Sequence, residues 1–255
     1  MSLTTLPLPA FTDNYIWCLV RGDQALVVDP GDAAVVEAFL QEQQLTLAAI
    51  LITHHHPDHT GGLPALLARR NLPVYGPDEG IALVNHVLAD GEQLDLAPFG
   101  RFEVMLIPGH TQGHIGFYLP AEELLFCGDT LFSAGCGRLL GGSIEQLHAS
   151  LQRLAGLPDS TRVCCTHEYT LSNLRFAAAV EPGNPAIAER TAEVQALRSR
   201  GEPSLPVSLG RERRYNPFLR SQEAAVIQAA SAQAGQPLAA GLPTTRALRA
   251  WKDRF

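Results

Sequence analysis

The chain has 255 residues, 46% of them hydrophobic and 18% charged, which suits one large globular domain, or a medium one with a small partner, and excludes wholesale disorder. Its net charge of −7 argues against nucleic acid as a partner. No apolar run approaches the roughly 18 residues of a membrane span, and the first residues lack the basic and apolar regions of a secretory signal. Five cysteines (Cys18, Cys127, Cys136, Cys164, Cys165), odd in number and two of them adjacent, are expected to stay reduced in a cytoplasmic protein. The charge is uneven. Residues 1–137 carry 4 basic and 16 acidic side chains, residues 138–255 carry 15 and 10, and Lys252 is the only lysine beside 18 arginines.

Short apolar runs bounded by turn residues predict strands at 16–20 and 25–29 around Arg21-Gly22-Asp23. Pro30-Gly31-Asp32 then opens a helix over 33–43. Residues 48–53 form a buried strand that runs into His54-His55-His56-Pro57-Asp58-His59, followed by Gly61-Gly62 and a short helix over 63–70. Further strands are expected at 73–76, 103–107, 115–119, 124–127 and 162–166, with a glycine-rich loop at 135–142. Helical periodicity marks 144–154, 186–200 and 221–234, and residues 181–185 and 201–210 are loops. An α/β portion therefore ends near residue 165, and a small helical appendage follows.

His54-x-His56-x-Asp58-His59 packs three imidazoles and a carboxylate into six residues after a buried strand. Zinc and similar divalent metals take these donors. His54 and His56, two apart in an extended segment, share a face, and a turn at Pro57 redirects Asp58 and His59. His55, between them, points the other way in a structural role. His110, Asp129 and His167 each follow a predicted strand. Taken singly, each is more simply a structural histidine or a turn carboxylate. The repeated strand-then-ligand pattern favours a site at one sheet edge, and the absence of cysteine from the set favours an open, catalytic one. His86 and His148 carry no motif. His114 is left between support for His110 and a purely structural role.

Thr53-His54-His55-His56-Pro57-Asp58-His59 with His110, Asp129 and His167 resembles the metallo-β-lactamase superfamily over residues 1 to about 170. The resemblance implies an α/β fold, an αββα sandwich with a dinuclear metal site at one edge. It puts His54, His56 and His110 on one ion, Asp58, His59 and His167 on the other, and Asp129 across both. The two divalent ions are zinc first, with iron or manganese also suited.

Phe11-Thr12-Asp13-Asn14-Tyr15, Gly135-Cys136-Gly137-Arg138, His167-Glu168-Tyr169-Thr170, Glu181-Pro182-Gly183-Asn184, Arg214-Tyr215-Asn216-Pro217-Phe218 and Arg246-x-x-Arg249-x-x-Lys252-Asp253 closely resemble the glyoxalase II (hydroxyacylglutathione hydrolase) family. This implies a catalytic domain over 1–165, a helical glutathione-binding domain over 166–255, and hydrolysis of S-D-lactoylglutathione to glutathione and D-lactate in methylglyoxal detoxification. The expected nucleophile is a metal-bound hydroxide held against Asp58 and Asp129, and the thiolate leaves unaided because a thiol pKa is near 8.5. Arg138, Tyr169, Arg249 and Lys252 are the implied glutathione contacts. Arg138 stands where relatives carry lysine, and Leu140 where they often carry tyrosine. On charge alone Arg249 and Lys252 also suit a solvated helix end. The expected partner is a small glutathione thioester, met by a monomer, with no nucleic acid and no membrane. A glutathione-persulfide dioxygenase of the same superfamily shares the histidine run but does not predict the terminal cations. A β-lactamase and a non-catalytic metal-binding module are more distant alternatives.

Overall fold

The computed structural model describes residues 2–255, and the chain divides into two compact units. The first comprises residues 2–106, Gly113–Gly128 and Cys164–His167. The second comprises Ile107–Gln112, Asp129–Val163 and Glu168–Phe255.

In the first unit the chain runs β1 (Thr4–Ala10), β2 (Asn14–Arg21), β3 (Gln24–Val28), α1 (Ala33–Glu42), β4 (Thr46–Leu51), α2 (Pro57–Thr60), α3 (Leu63–Leu67), β5 (Val74–Gly76) and β6 (His86–Val87). These strands form one sheet in sequential order, antiparallel from β1 to β3 and parallel from β3 to β6. Helix α1 is the crossover that a parallel β3–β4 pair requires. Its N-cap is Asp32, whose side chain accepts from Ala34 N–H at 2.9 Å. Val36 and Leu40 of α1 and Leu63 and Leu66 of α3 bury against Ile16, Cys18, Val27 and Ile50 of the sheet.

An antiparallel ladder follows: β7 (Gln93–Leu96), β8 (Gly100–Leu106), β9 (Ile115–Leu119) and β10 (Leu124–Gly128). Trp17 of β2 and Phe126 of β10 meet edge to face with ring centroids 6.3 Å apart, so the two sheets pack face to face. The indole Nε1 of Trp17 donates to the Cys165 carbonyl at 3.0 Å, which satisfies its one polar atom inside the core.

The second unit holds β11 (Leu131–Phe132), β12 (Gly135–Cys136), α4 (Ile144–Ala155), the first half of β13 (Arg162–Cys165), α5 (Thr170–Val180), α6 (Pro185–Ser199), β14 (Val207–Ser208), α7 (Leu209–Tyr215), α8 (Ala224–Ala234) and α9 (Leu242–Lys252). Helix α4 opens with a capping box, Ser143 with Gln146, and buries Ile144, Leu147, Leu151 and Leu154 on one stripe. Ser150 Oγ of α4 donates to the Pro108 carbonyl at 2.7 Å and so anchors the residue before Gly109-His110. Fully buried Glu212 ties the β11–β12 turn to α7. Its oxygens accept from Ser133 Oγ, Tyr215 Oη, Ala134 N–H and Asn216 Nδ2 at 2.7–3.0 Å. Burial pushes this carboxyl up from its ordinary value.

The predicted elements appear with shifted ends. The strand expected at 48–53 stops at Leu51 because the Thr53 N–H leaves the ladder for the Asp29 carboxylate, at 2.8 Å. The helix expected from 221 begins at Ala224, since the Ser221 carbonyl accepts from Gly241 N–H. Strand β1 escaped prediction through Pro7 and Pro9. It is an edge strand, where a missing N–H is tolerated. Helix α5 has no counterpart among the predicted elements, and of α9 only the helix end at Arg249 and Lys252 is anticipated. Both begin without a side-chain cap, so neither announces its start. The 135–142 loop contains β12, and the 201–210 loop contains β14 and the start of α7. All five cysteines are buried and none pairs in a disulfide among the described residues.

Replacing Ser143 with Ala removes one half of the capping box. The expected loss is about 1 kcal/mol, read as a lower urea midpoint at unchanged slope.

Candidate metal centre and substrate face

Strands β3 and β4 are parallel and in register at Val28 and Leu51, so Asp29 and Thr53 leave the sheet at the same C-terminal edge. Asp29 is 2% exposed and sits at φ 54°, a left-handed conformation that Asp tolerates better than most residues. Its Oδ1 accepts from Thr53 N–H at 2.8 Å and its Oδ2 from Thr53 Oγ1 at 2.7 Å. His59 Nδ1 lies 3.0 Å from the same Oδ2. Gly31 is required beside it, because a Cβ there would fall 1.8 Å from the Asp58 carbonyl oxygen.

These contacts set the protonation of the imidazoles. The single proton of Thr53 Oγ1 goes to Asp29, so towards His54 Nδ1, 3.1 Å away, the hydroxyl accepts. His54 is therefore protonated on Nδ1 and carries its lone pair on Nε2. His54 Nε2 lies 3.0 Å from His56 Nδ1. His167 Nδ1 donates to Asp13 Oδ1 at 2.8 Å, which likewise leaves the lone pair on Nε2. Asn14 Nδ2 donates to Asp58 Oδ2 at 3.0 Å, and Tyr15 N–H to the Thr166 carbonyl at 2.6 Å. The Phe11–Tyr15 string thus supports both Asp58 and His167.

In this first unit Asp58 Oδ2 lies 3.5 Å from His59 Nε2 and 3.4 Å from His167 Nε2. Metal bonds of about 2.0–2.1 Å in a tetrahedral arrangement place neighbouring donor atoms about 3.4 Å apart. The three donors therefore have the spacing and the chemistry to share one divalent ion. In the second unit His110 Nδ1 donates to the Arg138 carbonyl at 2.8 Å, and His110 Nε2 lies 3.6 Å from Asp129 Oδ2. The Leu140 N–H in turn donates to the His110 carbonyl.

The remaining histidines are accounted for by other contacts. His55 turns to Glu79, His86 stacks on Tyr75 with ring centroids 4.7 Å apart, and His148 Nδ1 meets Thr245 Oγ1 at 2.9 Å. His114 is fully buried and stacks on His54 at 4.7 Å and 19°. Asp13 and Thr53, which orient imidazoles, and Asn14, which steadies Asp58, stand in the sequence only as members of the resembling motifs, with no role assigned, and Asp29 stands outside them. Asp29 had a signal, since it too ends a strand ahead of Pro-Gly.

Of the predicted glutathione contacts, Arg138 is exposed and Tyr169 is 37% exposed, its ring against Phe132 with centroids 5.3 Å apart. Arg249 is buried. Its Nη1 donates to the Cys136 and Gly137 carbonyls at 3.0 and 3.3 Å, its Nη2 to Asp253 at 2.9 Å, and its guanidinium lies over Phe218. Lys252 Nζ lies 5.0 Å from the Phe176 ring centroid. Burial, then the charges of Arg249, Arg138 and Arg175, lower its pKa to about 8.

The family model described as "Metallo-beta-lactamase superfamily" matches residues 11–167, and that described as "Hydroxyacylglutathione hydrolase C-terminus" matches residues 168–255. The chain is 50% identical to the hydroxyacylglutathione hydrolase of Chromohalobacter salexigens, over 99% of this chain and 100% of that protein. It is 51% identical to the hydroxyacylglutathione hydrolase of Albidiferax ferrireducens, over 98% and 99%. Among solved structures, TTHA1623 in a di-iron-bound form aligns with a TM-score of 0.54 and 34% identity, over 66% of this chain and 92% of that one.

Replacing Asp29 with Asn keeps the volume but turns one acceptor oxygen into a donor facing Thr53 or His59. The metal-free protein should lose about 1–3 kcal/mol, measured as a fall in urea midpoint.

Proposed function

The chain belongs to the hydroxyacylglutathione hydrolase family of the metallo-beta-lactamase superfamily, and from that premise we infer that it hydrolyses S-D-lactoylglutathione and related S-2-hydroxyacylglutathiones to glutathione and the free 2-hydroxy acid. The observation that carries the reading is the joint presence of the donor cluster Asp58, His59 and His167 and the hydroxyacylglutathione hydrolase C-terminal region with its Lys252 cation.

Two divalent ions are assigned here, zinc first, with iron or manganese also accepted by nitrogen and carboxylate donors. As the family resemblance implies, His54, His56 and His110 would hold one and Asp58, His59 and His167 the other, with Asp129 available to both. The di-iron form of the TTHA1623 relative supports the count of two. Bound divalent ions supply an acidified water near neutral pH and polarise the carbonyl under attack. The chain's own groups do the rest. Asp13 and Thr53 fix the lone pairs of His167 and His54 on Nε2, and the Arg138 carbonyl does the same for His110. Asp58, steadied by Asn14, and Asp129 accept from the attacking water. No side chain need protonate the departing thiolate, whose acid has a pKa near 8.5.

Glutathione carries two carboxylates. We assign their binding to Arg138 and Lys252, with Tyr169 at the thiol end and Arg249 holding Cys136 and Gly137 beneath Arg138. Catalysis is assigned to residues 1–165 and substrate binding to 166–255. No helix among the described residues is long and apolar enough to cross a membrane. A cytoplasmic monomer that binds neither nucleic acid nor membrane fits the acidic net charge and the unpaired-in-disulfide cysteines.

The decisive experiment measures thiol release from S-D-lactoylglutathione and metal content in one sample. One thiol per thioester and a metal-loaded protein are expected, and Asp58→Ala or Asp129→Ala should lose turnover and metal together. Oxygen uptake with glutathione persulfide, in place of thiol release, would move the chain to the dioxygenase branch.

Lys252 is charged below its pKa of about 8 and neutral above it. The KM for the anionic thioester should therefore rise as pH passes 8, by about 10- to 150-fold when a charged hydrogen bond worth roughly 1.5–3 kcal/mol is lost. Lys252→Ala should show the raised KM at pH 7 already and abolish that pH dependence.

A further inference from the structure

His55 lies between two residues assigned to the metal, and its ring packs edge-on against that of His56 with centroids 4.8 Å apart. Its backbone N–H and its ring both meet one buried carboxylate. Glu79 Oε2 accepts from the His55 N–H at 3.0 Å and contacts His55 Nδ1 at 2.8 Å. The other oxygen, Oε1, accepts from Gly113 N–H at 2.7 Å. The Glu79 side chain is 7% exposed, whereas that of His55 is 45% exposed. Gly113 is required for the approach, because a Cβ there would lie 2.6 Å from Glu79 Cγ. The next residue, His114, stacks on His54, and Ile115 N–H donates to the Thr53 carbonyl at 3.0 Å. Both oxygens of one carboxylate thus grip the two segments that enclose the His54 ring.

We propose that Glu79 is a positioning residue for the metal site, clamping the His54–His56 run to the Gly113-His114 segment. The proposal rests on the metal-site reading above. One charge-assisted contact fixes the backbone at residue 55, a second holds its imidazole and a third ties both to Gly113, which together set the directions of His54 and His56, one residue to either side. The carboxylate acts on the spacing of the pair, which an ion needs held to a few tenths of an ångström.

The test compares zinc affinity, by chelator competition, in the full-length wild type and in Glu79→Ala, Glu79→Gln and His55→Ala, with thermal unfolding of each metal-free protein. Loss of support to a metal ligand typically weakens affinity about 10–100-fold, and Glu79→Ala should fall in that range. Glu79→Gln keeps one acceptor and should lie between Glu79→Ala and wild type. His55→Ala removes only the ring contact, keeps both backbone contacts, and should lose the least. The metal-free variants should unfold within a few degrees of wild type. Wild-type affinity in Glu79→Ala, or in Glu79→Gln should Glu79→Ala not fold, overturns the clamp. So does a loss of affinity that only tracks a lowered metal-free melting point. A wild-type protein that takes up no zinc, iron or manganese instead overturns the metal-site reading itself.

Discussion

An imidazole ligates a metal only through a nitrogen that carries no proton, and every histidine has two candidates. The chain settles that choice through groups that only accept. The Asp29 carboxylate takes the Thr53 hydroxyl proton, which obliges that oxygen to accept from His54 Nδ1. Asp13 takes the proton of His167 Nδ1, and the Arg138 carbonyl that of His110 Nδ1. Much of the surrounding architecture follows from these contacts. Strand β4 ends two residues short of the expected strand end at Thr53 because Thr53 N–H turns to Asp29. Asp29 occupies a left-handed conformation so that its carboxylate reaches back over the parallel strand ends. Gly31 has no side chain because the Asp58 backbone passes where a Cβ would sit. A site of this kind is preorganised: the free energy of aligning the donors is spent in folding, before any ion arrives.

The charge distribution has a matching logic. Carboxylates dominate residues 1–137, where they orient imidazoles and supply oxygen donors. Arginines dominate the remainder, and many are occupied within the second unit. Arg220 pairs with Glu181, Arg211 and Arg190 with Glu193, and Arg200 with Glu202. The exposed ones among these pairs, such as Arg200 with Glu202, contribute little to stability. Arg249 is buried. Its Nη1 holds two successive carbonyls of the Gly135–Arg138 stretch while Nε and Nη2 reach Asp253, a division of donors that a lysine could not reproduce.

The pattern of proposed donors is legible because a β-strand ends abruptly and chemistry-bearing residues follow it. Four predicted strands delivered His54, His110, Asp129 and His167 in that way. The residues that aim those side chains were not legible. Thr53 reads as the end of a strand, Asp13 and Asn14 as members of the Phe11–Tyr15 string without a role of their own, and Glu79 as one acid among 26 acidic side chains. Their roles depend on which distant backbone they meet, such as Glu79 on Gly113, and spacing along the chain does not encode that meeting. The same limit applied to α5 and α9, whose starts carry no capping side chain and whose packing partners lie far off in sequence. Strand β1 was hidden by prolines that only its place at the sheet edge makes harmless.

Lys252 can give up its proton near physiological pH. An arginine at the same half-buried position would stay charged beside Arg249, with burial and repulsion both opposing it. Lysine yields to those two pressures, and its pKa falls to about 8. At neutral pH most molecules still hold the proton, but the charged form is only modestly favoured. An anion seated against Nζ reverses the balance, because an opposite charge a few ångströms away favours the ammonium. Binding of a carboxylate and uptake of a proton are then linked: each raises the affinity for the other by the same factor. The aromatic face of Phe176, 5.0 Å from Nζ, attracts the ammonium and not the neutral amine, and so adds to the bias towards the charged form.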